Sequence, residues 1–225
     1  MLNFFKKFTL FEKLLLVISI IVLLATGIIF NSSIVTIICT VLFVLAIMLI
    51  AKGNYLGQII GIVVTILYSY ISYKNRYYGE IIINIGIVLP LYILGIISWI
   101  KHENKETKTV KINQIRFKEW LIALVLSIGV YFGIYYLLKS QNTNLLIVST
   151  LSVVASLFGM YLNVRRSSYS FLLFIINDII LIFLWGIPSF NGDYTLVPLF
   201  INPIINLFND SYGLYNWKKN EKLQK

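Results

Sequence analysis

The sequence predicts an all-α integral membrane protein with eight transmembrane helices, and three observations carry that reading. Of its 225 residues 59% are hydrophobic and 12% charged, with a mean hydropathy of +0.85. That is more apolar surface than a soluble domain buries. Eight apolar runs have about the 17–25 residues that a hydrocarbon core of roughly 30 Å requires. Finally, the basic residues collect in alternate connections between those runs.

The runs fall at 14–30, 34–51, 55–73, 78–100, 119–138, 145–163, 169–187 and 194–217. The first follows Lys6, Lys7 and Lys13 as a signal peptide would, but no small-residue cleavage site follows it, and it is read as a span. The second holds the single Cys39; with one Cys and one His, no disulfide framework and no Cys/His metal cage can form. The third bears Gly57, Gly61, Thr65, Tyr68 and Ser72 on one line, with Gln58 beside it. The fifth carries Gly129-x-x-x-Gly133, read as a packing face. The sixth aligns Ser149, Ser152, Ser156, Gly159 and Asn163. Small residues so spaced are read first as close helix packing, although a path would use them equally.

The seventh and eighth runs differ, because both hold polar groups at membrane depth. Asn177 and Asp178 lie near the middle of 169–187. A carboxylate there costs several kcal/mol unless it faces a protein interior or a wet cavity, so Asp178 is a candidate functional residue. Trp185 is two helical turns further along the same face. The eighth run places Asn202, Asn206, Asn209, Gly213 and Asn216 on one stripe, with Asp210 and Tyr212 alongside. Pro90, Pro198 and Pro203 fall inside runs, and Pro188 just beyond one, where each permits a kink.

Orientation follows from Lys and Arg. With the amino terminus cytoplasmic, sixteen of the nineteen basic residues are inside, and only Lys74, Arg76 and Lys139 are outside. Both termini are then cytoplasmic. The run from Lys101 to Lys118 looks in isolation like a nucleic-acid or lipid-headgroup patch, but the topology explains it as a cytoplasmic loop.

That loop divides the chain. Gly95-Ile-Ile-Ser98-Trp99-Ile-Lys101 closes one triplet of helices, and Gly213-Leu-Tyr-Asn216-Trp217-Lys218 closes another. A single helix between them gives both triplets the same orientation. The expected organisation is an extra N-terminal helix (1–33), a first triple-helix repeat (34–100), a basic loop with linker helix (101–144), a second, parallel repeat (145–217) and a tail (218–225). A central site would gather amides, the acids Asp178 and Asp210, and the aromatic faces of Tyr68, Tyr92, Trp185, Tyr212 and Trp217. Such a site suits a flat, polar, cationic small molecule.

Four segments carry a resemblance to a known family: Ala51-Lys52-Gly53; Tyr68 to Glu80, with its Tyr73-Lys74-x-x-x-Tyr78-Gly79-Glu80 core, and Asn84; Asn177-Asp178 with Trp185; and Asn209 to Trp217. Over roughly residues 51–219 the chain resembles the PnuC family of bacterial nicotinamide riboside transporters. The resemblance implies a SWEET-like fold with parallel triple-helix repeats in a homotrimer. It further implies facilitated diffusion of a vitamin precursor across the bacterial cell membrane, followed by trapping by a cytoplasmic kinase. Carried over by position, Asn84, Asp178 and Trp185 are pocket residues, and Asn209, Tyr212 and Trp217 join them from the last helix. Gln58, Tyr68 and Asn177 complete the candidate substrate-binding set. No metal, cofactor or nucleic acid is expected; membrane lipids are. Val64 and Tyr92 stand where relatives often have Asn, Ile87 where they have Tyr, and Asp210 is unusual. Thiamine or riboflavin, carried by related branches, is therefore an alternative cargo.

Two other classes compete. An intramembrane enzyme would use Asp178 and Asp210 as an acid/base or metal pair, yet no His-Glu-x-x-His run or nucleophile with its base is visible. A purely structural subunit has no use for Asn and Asp at such depth.

Overall fold

A computed structural model describes residues 8–105 and 107–224. Lys6, Lys7 and Lys225, counted above among the inner basic residues, lie outside the described residues. The helices are α1 (Leu10–Ile29), α2 (Ile34–Ala51), α3 (Leu56–Lys74), α4 (Tyr78–Ile83), α5 (Leu89–Lys101), α6 (Phe117–Ser140), α7 (Leu146–Val164), α8 (Ser170–Phe190) and α9 (Val197–Leu223). A π-helical turn, Asn84–Val88, joins α4 to α5, so the two form one span, Glu80–Lys101. Its cause is local. Pro90 has no N–H to return to the carbonyl one turn back, and the ladder widens just ahead of it.

Among the described residues, seven helices are long and apolar enough to cross a membrane. α9 is as long, with 27 residues, but its Asn ladder lowers its hydropathy. Many large apolar side chains point outward, among them Ile21, Val125, Phe183 and Phe208. A bilayer, not water, is the solvent for such a surface. The chain is an all-helical, multi-pass membrane protein apart from one short hairpin.

That hairpin lies in the basic loop. β1 (Glu103–Asn104) pairs antiparallel with β2 (Thr109–Val110). Val110 N–H donates to Gly53 O at 2.9 Å, and its side chain is buried with Ile50, Ala51, Trp99 and Trp217. Gly53 sits at φ +69°, and an added Cβ would meet Val110 at 3.5 Å. The loop is thus folded over the helix ends instead of hanging free.

Helix α2 packs on α3 and α9, α7 on α8, α9 on α8, and α1 lies across α2 and α9. The two Gly-x-x-x-Trp endings engage the opposite triplet reciprocally. Trp99 Nε1 donates to Asn163 O (2.9 Å) and Ser98 Oγ to Val164 O (2.8 Å). Trp217 Nε1 donates to Ile50 O (3.2 Å) and Asn216 Nδ2 to Ala51 O (2.9 Å). Each indole therefore caps the end of the first helix of the other triplet, adding a second bond to a carbonyl that already accepts a backbone N–H from the following turn, Gly53 N–H to Ile50 O (2.8 Å) and Arg166 N–H to Asn163 O (2.9 Å). The two rings meet with centroids 5.4 Å apart. The matching glycines behave alike, for each receives a side chain from the first turn of the second helix of its own triplet. A Cβ on Gly95 would lie 2.9 Å from the Gln58 amide, and one on Gly213 would lie 2.4 Å from the Phe171 ring.

The Gly129 and Gly133 face of α6 behaves otherwise: a Cβ on either meets nothing within 4 Å. The packing expected of it is absent within the described residues, because α6 leans on α7 with a different stripe.

Candidate functional site

A cavity of about 130 Å³ lies between the two triplets, lined by α2, α3, α4, the π turn and α5 on one side and by α7, α8 and α9 on the other. Its polar lining is Thr65 and Tyr68 from α3, Glu80 and Asn84 at the head of the fourth span, Tyr92 from α5, Ser152 and Ser156 from α7, Asn177 and Asp178 from α8, and Asp210 from α9. Phe43, Ile47, Val64, Val88, Met160, Phe174 and Leu181 provide apolar wall.

Local structure explains how each polar group reaches the space. Asn84 opens the π turn, and its Nδ2 donates to Glu80 O at 2.7 Å and to Glu80 Oε2 at 3.4 Å, which holds amide and acid together. Ser152 Oγ donates to Asn177 Oδ1 at 2.9 Å and fixes which way that amide points. Gly61 gives Tyr92 its place: a Cβ there would be 2.3 Å from the ring. Asp178 lies in contact with Asp210 and Asn206.

The acids define the electrostatics. Glu80, Asp178 and Asp210 are 5%, 3% and 2% exposed. Glu80 Oε1, Asp178 Oδ2 and Asp210 Oδ1 find no hydrogen-bond partner among the described residues. Among the described residues, no Lys, Arg or His lines the cavity. Buried carboxylates without partners are costly, and a cation entering the space relieves that cost. The described residues do not bring three such groups close enough to hold a metal ion. The arrangement suits a cation extended over several ångströms.

Of the nine candidate residues, Tyr68, Asn84, Asn177 and Asp178 line this cavity; the other five do not. Trp185 stands behind it, edge-on to Tyr68 (5.8 Å) and Tyr77 (5.3 Å) in an apolar cluster. Burial and the Glu80 carboxylate push the Tyr77 phenol up to about 12, so it remains neutral. Gln58 hydrogen-bonds Asn163 between the triplets. Asn209 Nδ2 returns to Ile205 O at 3.3 Å. Tyr212 donates to Glu12 of α1, and Trp217 belongs to the reciprocal clasp. Much of the Asn ladder is likewise structural, since Asn202 Nδ2 donates to Thr40 O and Asn206 Nδ2 to Asn202 Oδ1, both at 3.1 Å.

Glu80, Thr65, Ser152 and Ser156 were not singled out as binding residues by sequence. Glu80 carried a usable signal: an acid one turn before Asn84 at the head of an apolar run. Phe43 and Ile47 carried none, because α2 is apolar on every side.

Comparisons with known proteins give the family. The family model described as nicotinamide mononucleotide transporter matches residues 33–219. The nicotinamide riboside transporter PnuC of Neisseria mucosa is 29% identical over 183 residues, covering 78% of this chain and 68% of that protein. The crystal structure of the vitamin B3 transporter PnuC superposes with a TM-score of 0.86 at 25% identity, covering 97% of this chain and 94% of the other. These relatives are transporters, and nothing in the comparison points to an enzyme. With the match running through both triplets and the linker between them, this chain belongs to the nicotinamide mononucleotide transporter family, that of the PnuC proteins.

Proposed function

We propose that the protein takes up nicotinamide riboside, or a closely related cationic vitamin precursor, by facilitated diffusion through the central cavity of each protomer. The carrying observation is a cavity shared by two helix triplets whose ionisable acids, among the described residues, are three carboxyl groups with no cation beside them, each with an unpartnered oxygen. A pyridinium ring compensates those charges. The carboxamide and ribose of the same molecule find Asn84, Asn177, Ser152, Ser156 and Tyr68. The substrate-binding set proposed from the geometry is therefore Tyr68, Glu80, Asn84, Asn177, Asp178 and Asp210. Trp185 supports Tyr68 from behind, and Gln58, Asn209, Tyr212 and Trp217 hold the helices that carry the site.

The reciprocal Trp99 and Trp217 contacts, with the parallel seating of Gly95 and Gly213, support two triple-helix repeats of SWEET-like form. In this arrangement 34–100 and 145–217 are related, 1–33 is added, and 101–144 links them. All eight spans then cross the bacterial cell membrane with both termini cytoplasmic, in a homotrimer whose cargo a cytoplasmic kinase traps. No coupling ion is required by the lining.

Thiamine is the second reading. Val64 and Tyr92 both line the cavity and make its wall less amide-rich than the resemblance leads one to expect, while the acids serve a thiazolium as well as a pyridinium. A thermal-shift panel of nicotinamide riboside, thiamine, riboflavin and uncharged nucleosides on the purified protein separates these readings. A ligand at about 100 times its Kd adds roughly 2.7 kcal/mol of apparent stability. Stabilisation by nicotinamide riboside supports the main proposal, and stabilisation by thiamine alone supports the second. Stabilisation by neither cation, or by neutral nucleosides equally, removes both.

A further inference from the structure

The linker helix α6 touches its neighbour at two places and stands off between them. At its basic end Glu119 accepts from Arg165 Nε (2.8 Å), Arg165 Nη2 (3.0 Å) and Tyr161 OH (2.9 Å), and Trp120 packs edge-on to Phe158 at 5.5 Å. At the other end Ile134 and Leu138 are buried with Val153. Between these contacts a cleft of about 560 Å³ opens, walled by Ile122, Leu126 and Val130 of α6 and by Val154 and Leu157 of α7. Arg116 and Lys118 stand at its mouth.

Apolar walls and a charged mouth in one cleft describe an amphiphile. From Arg116 to Val130 the helix rises about 21 Å, whereas one leaflet of hydrocarbon is about 15 Å deep. The cleft therefore runs the depth of a leaflet and continues to the headgroup level. Ile122 and Leu126 remain 61% and 62% exposed, so no described residue of the protomer fills it. At the mouth, the single carboxylate Glu119 is already held by Arg165. Arg116 and Lys118 are exposed and form no ion pair among the described residues.

We propose that this cleft binds an anionic phospholipid, its acyl chain lying along Ile122, Leu126 and Val130 and its phosphate resting on Arg116 and Lys118. The chemistry of the mouth favours a lipid: a slot open to the bilayer takes a chain without a partner surface, and Arg116 and Lys118 at its end call for an anionic headgroup. Basic pockets between transmembrane helices are an established way of holding anionic headgroups. The proposal concerns a surface away from the central cavity, so it stands whether or not the cargo assignment does.

Native mass spectrometry of the purified full chain tests it, with phosphatidylglycerol and phosphatidylcholine of identical acyl chains added to the delipidated protein. Phosphatidylglycerol is expected to be retained in preference. The double variant Arg116→Gln/Lys118→Gln is expected to lose that preference, with retention falling roughly five-fold per charge removed. Leu126→Trp, which plugs the cleft and leaves the charges in place, is expected to reduce retention of both lipids and provides a second reading if the charge variant does not fold. Equal retention of the two lipids overturns the proposal, as does unchanged retention in either variant. So does efficient Ser127→Cys cross-linking between two copies, which would show the cleft covered by protein.

Discussion

Replacing Asp178 and Asp210 together by Asn tests the electrostatic core of the proposed mechanism. The two carboxylates lie in contact, and with one proton shared between them the double substitution removes one negative charge from the cavity. Asn matches Asp in shape, so the volume of about 130 Å³ is kept. A ring cation held in so small a space sits about 6 Å from the pair. At an effective dielectric constant of about 20 one such charge contributes about 2.8 kcal/mol, close to a hundred-fold in Kd. The assay is equilibrium binding of nicotinamide riboside to the purified variant, with its neutral dihydro form as comparison. The cation should bind about a hundred-fold more weakly, and the neutral form should change by less than about three-fold. An equal loss for both ligands would mean that the acids act by shape or packing. No loss for either would place the cargo elsewhere.

Three further outcomes follow from other contacts. Lys52→Met strips the cation from Glu12, which is fully buried and bonded to Lys52 at 2.9 and 3.1 Å and keeps only the Tyr212 hydroxyl and the Thr9 N–H; the loss is about 3 kcal/mol, or roughly 6–12 °C in Tm. Adding Glu12→Gln should recover most of it in the same melting experiment. Gly61→Ala forces Tyr92 off its seat, since the new Cβ would stand 2.3 Å from the ring. Ligand affinity should fall, at a stability cost of about 1–3 kcal/mol, and a second change, Tyr92→Leu, should restore the fold's stability in thermal melts. Trp217→Phe keeps the ring contacts with Trp99 and Phe171 but deletes the bond to Ile50 O. A drop of about 1 kcal/mol is expected, with a matching drop for Trp99→Phe.

The helices were legible because membrane depth imposes a length on apolar runs, and α2 begins and ends where its run does. The cavity was legible where burial punishes an unexplained polar atom: Asp178 and Asn177 stand out for that reason, whereas Asn84 came only from the family resemblance. What the sequence could not separate is two uses of the same chemistry. An amide at membrane depth must find a partner, and periodicity does not say whether that partner is cargo or a backbone carbonyl. Asn202 and Asn216 found Thr40 O and Ala51 O. Trp185 and Trp217 found aromatic neighbours, whose positions depend on helices far away in the chain. The Gly129 face was misjudged for a related reason, because spacing reveals a smooth surface but not what lies against it.

The interlocked indoles have a consequence for biogenesis. When the first triplet leaves the ribosome, the Ala51 carbonyl and the Trp99 N–H have none of their final mates, and the Ile50 carbonyl has only its turn bond from Gly53 N–H. At these cytoplasmic helix ends the side-chain bonds close only when Asn163 and then Trp217 arrive. Closure of both ends is thereby tied to synthesis of nearly the whole polypeptide, and chains truncated before Asn216 should show faster amide exchange around Gly53 than the full chain.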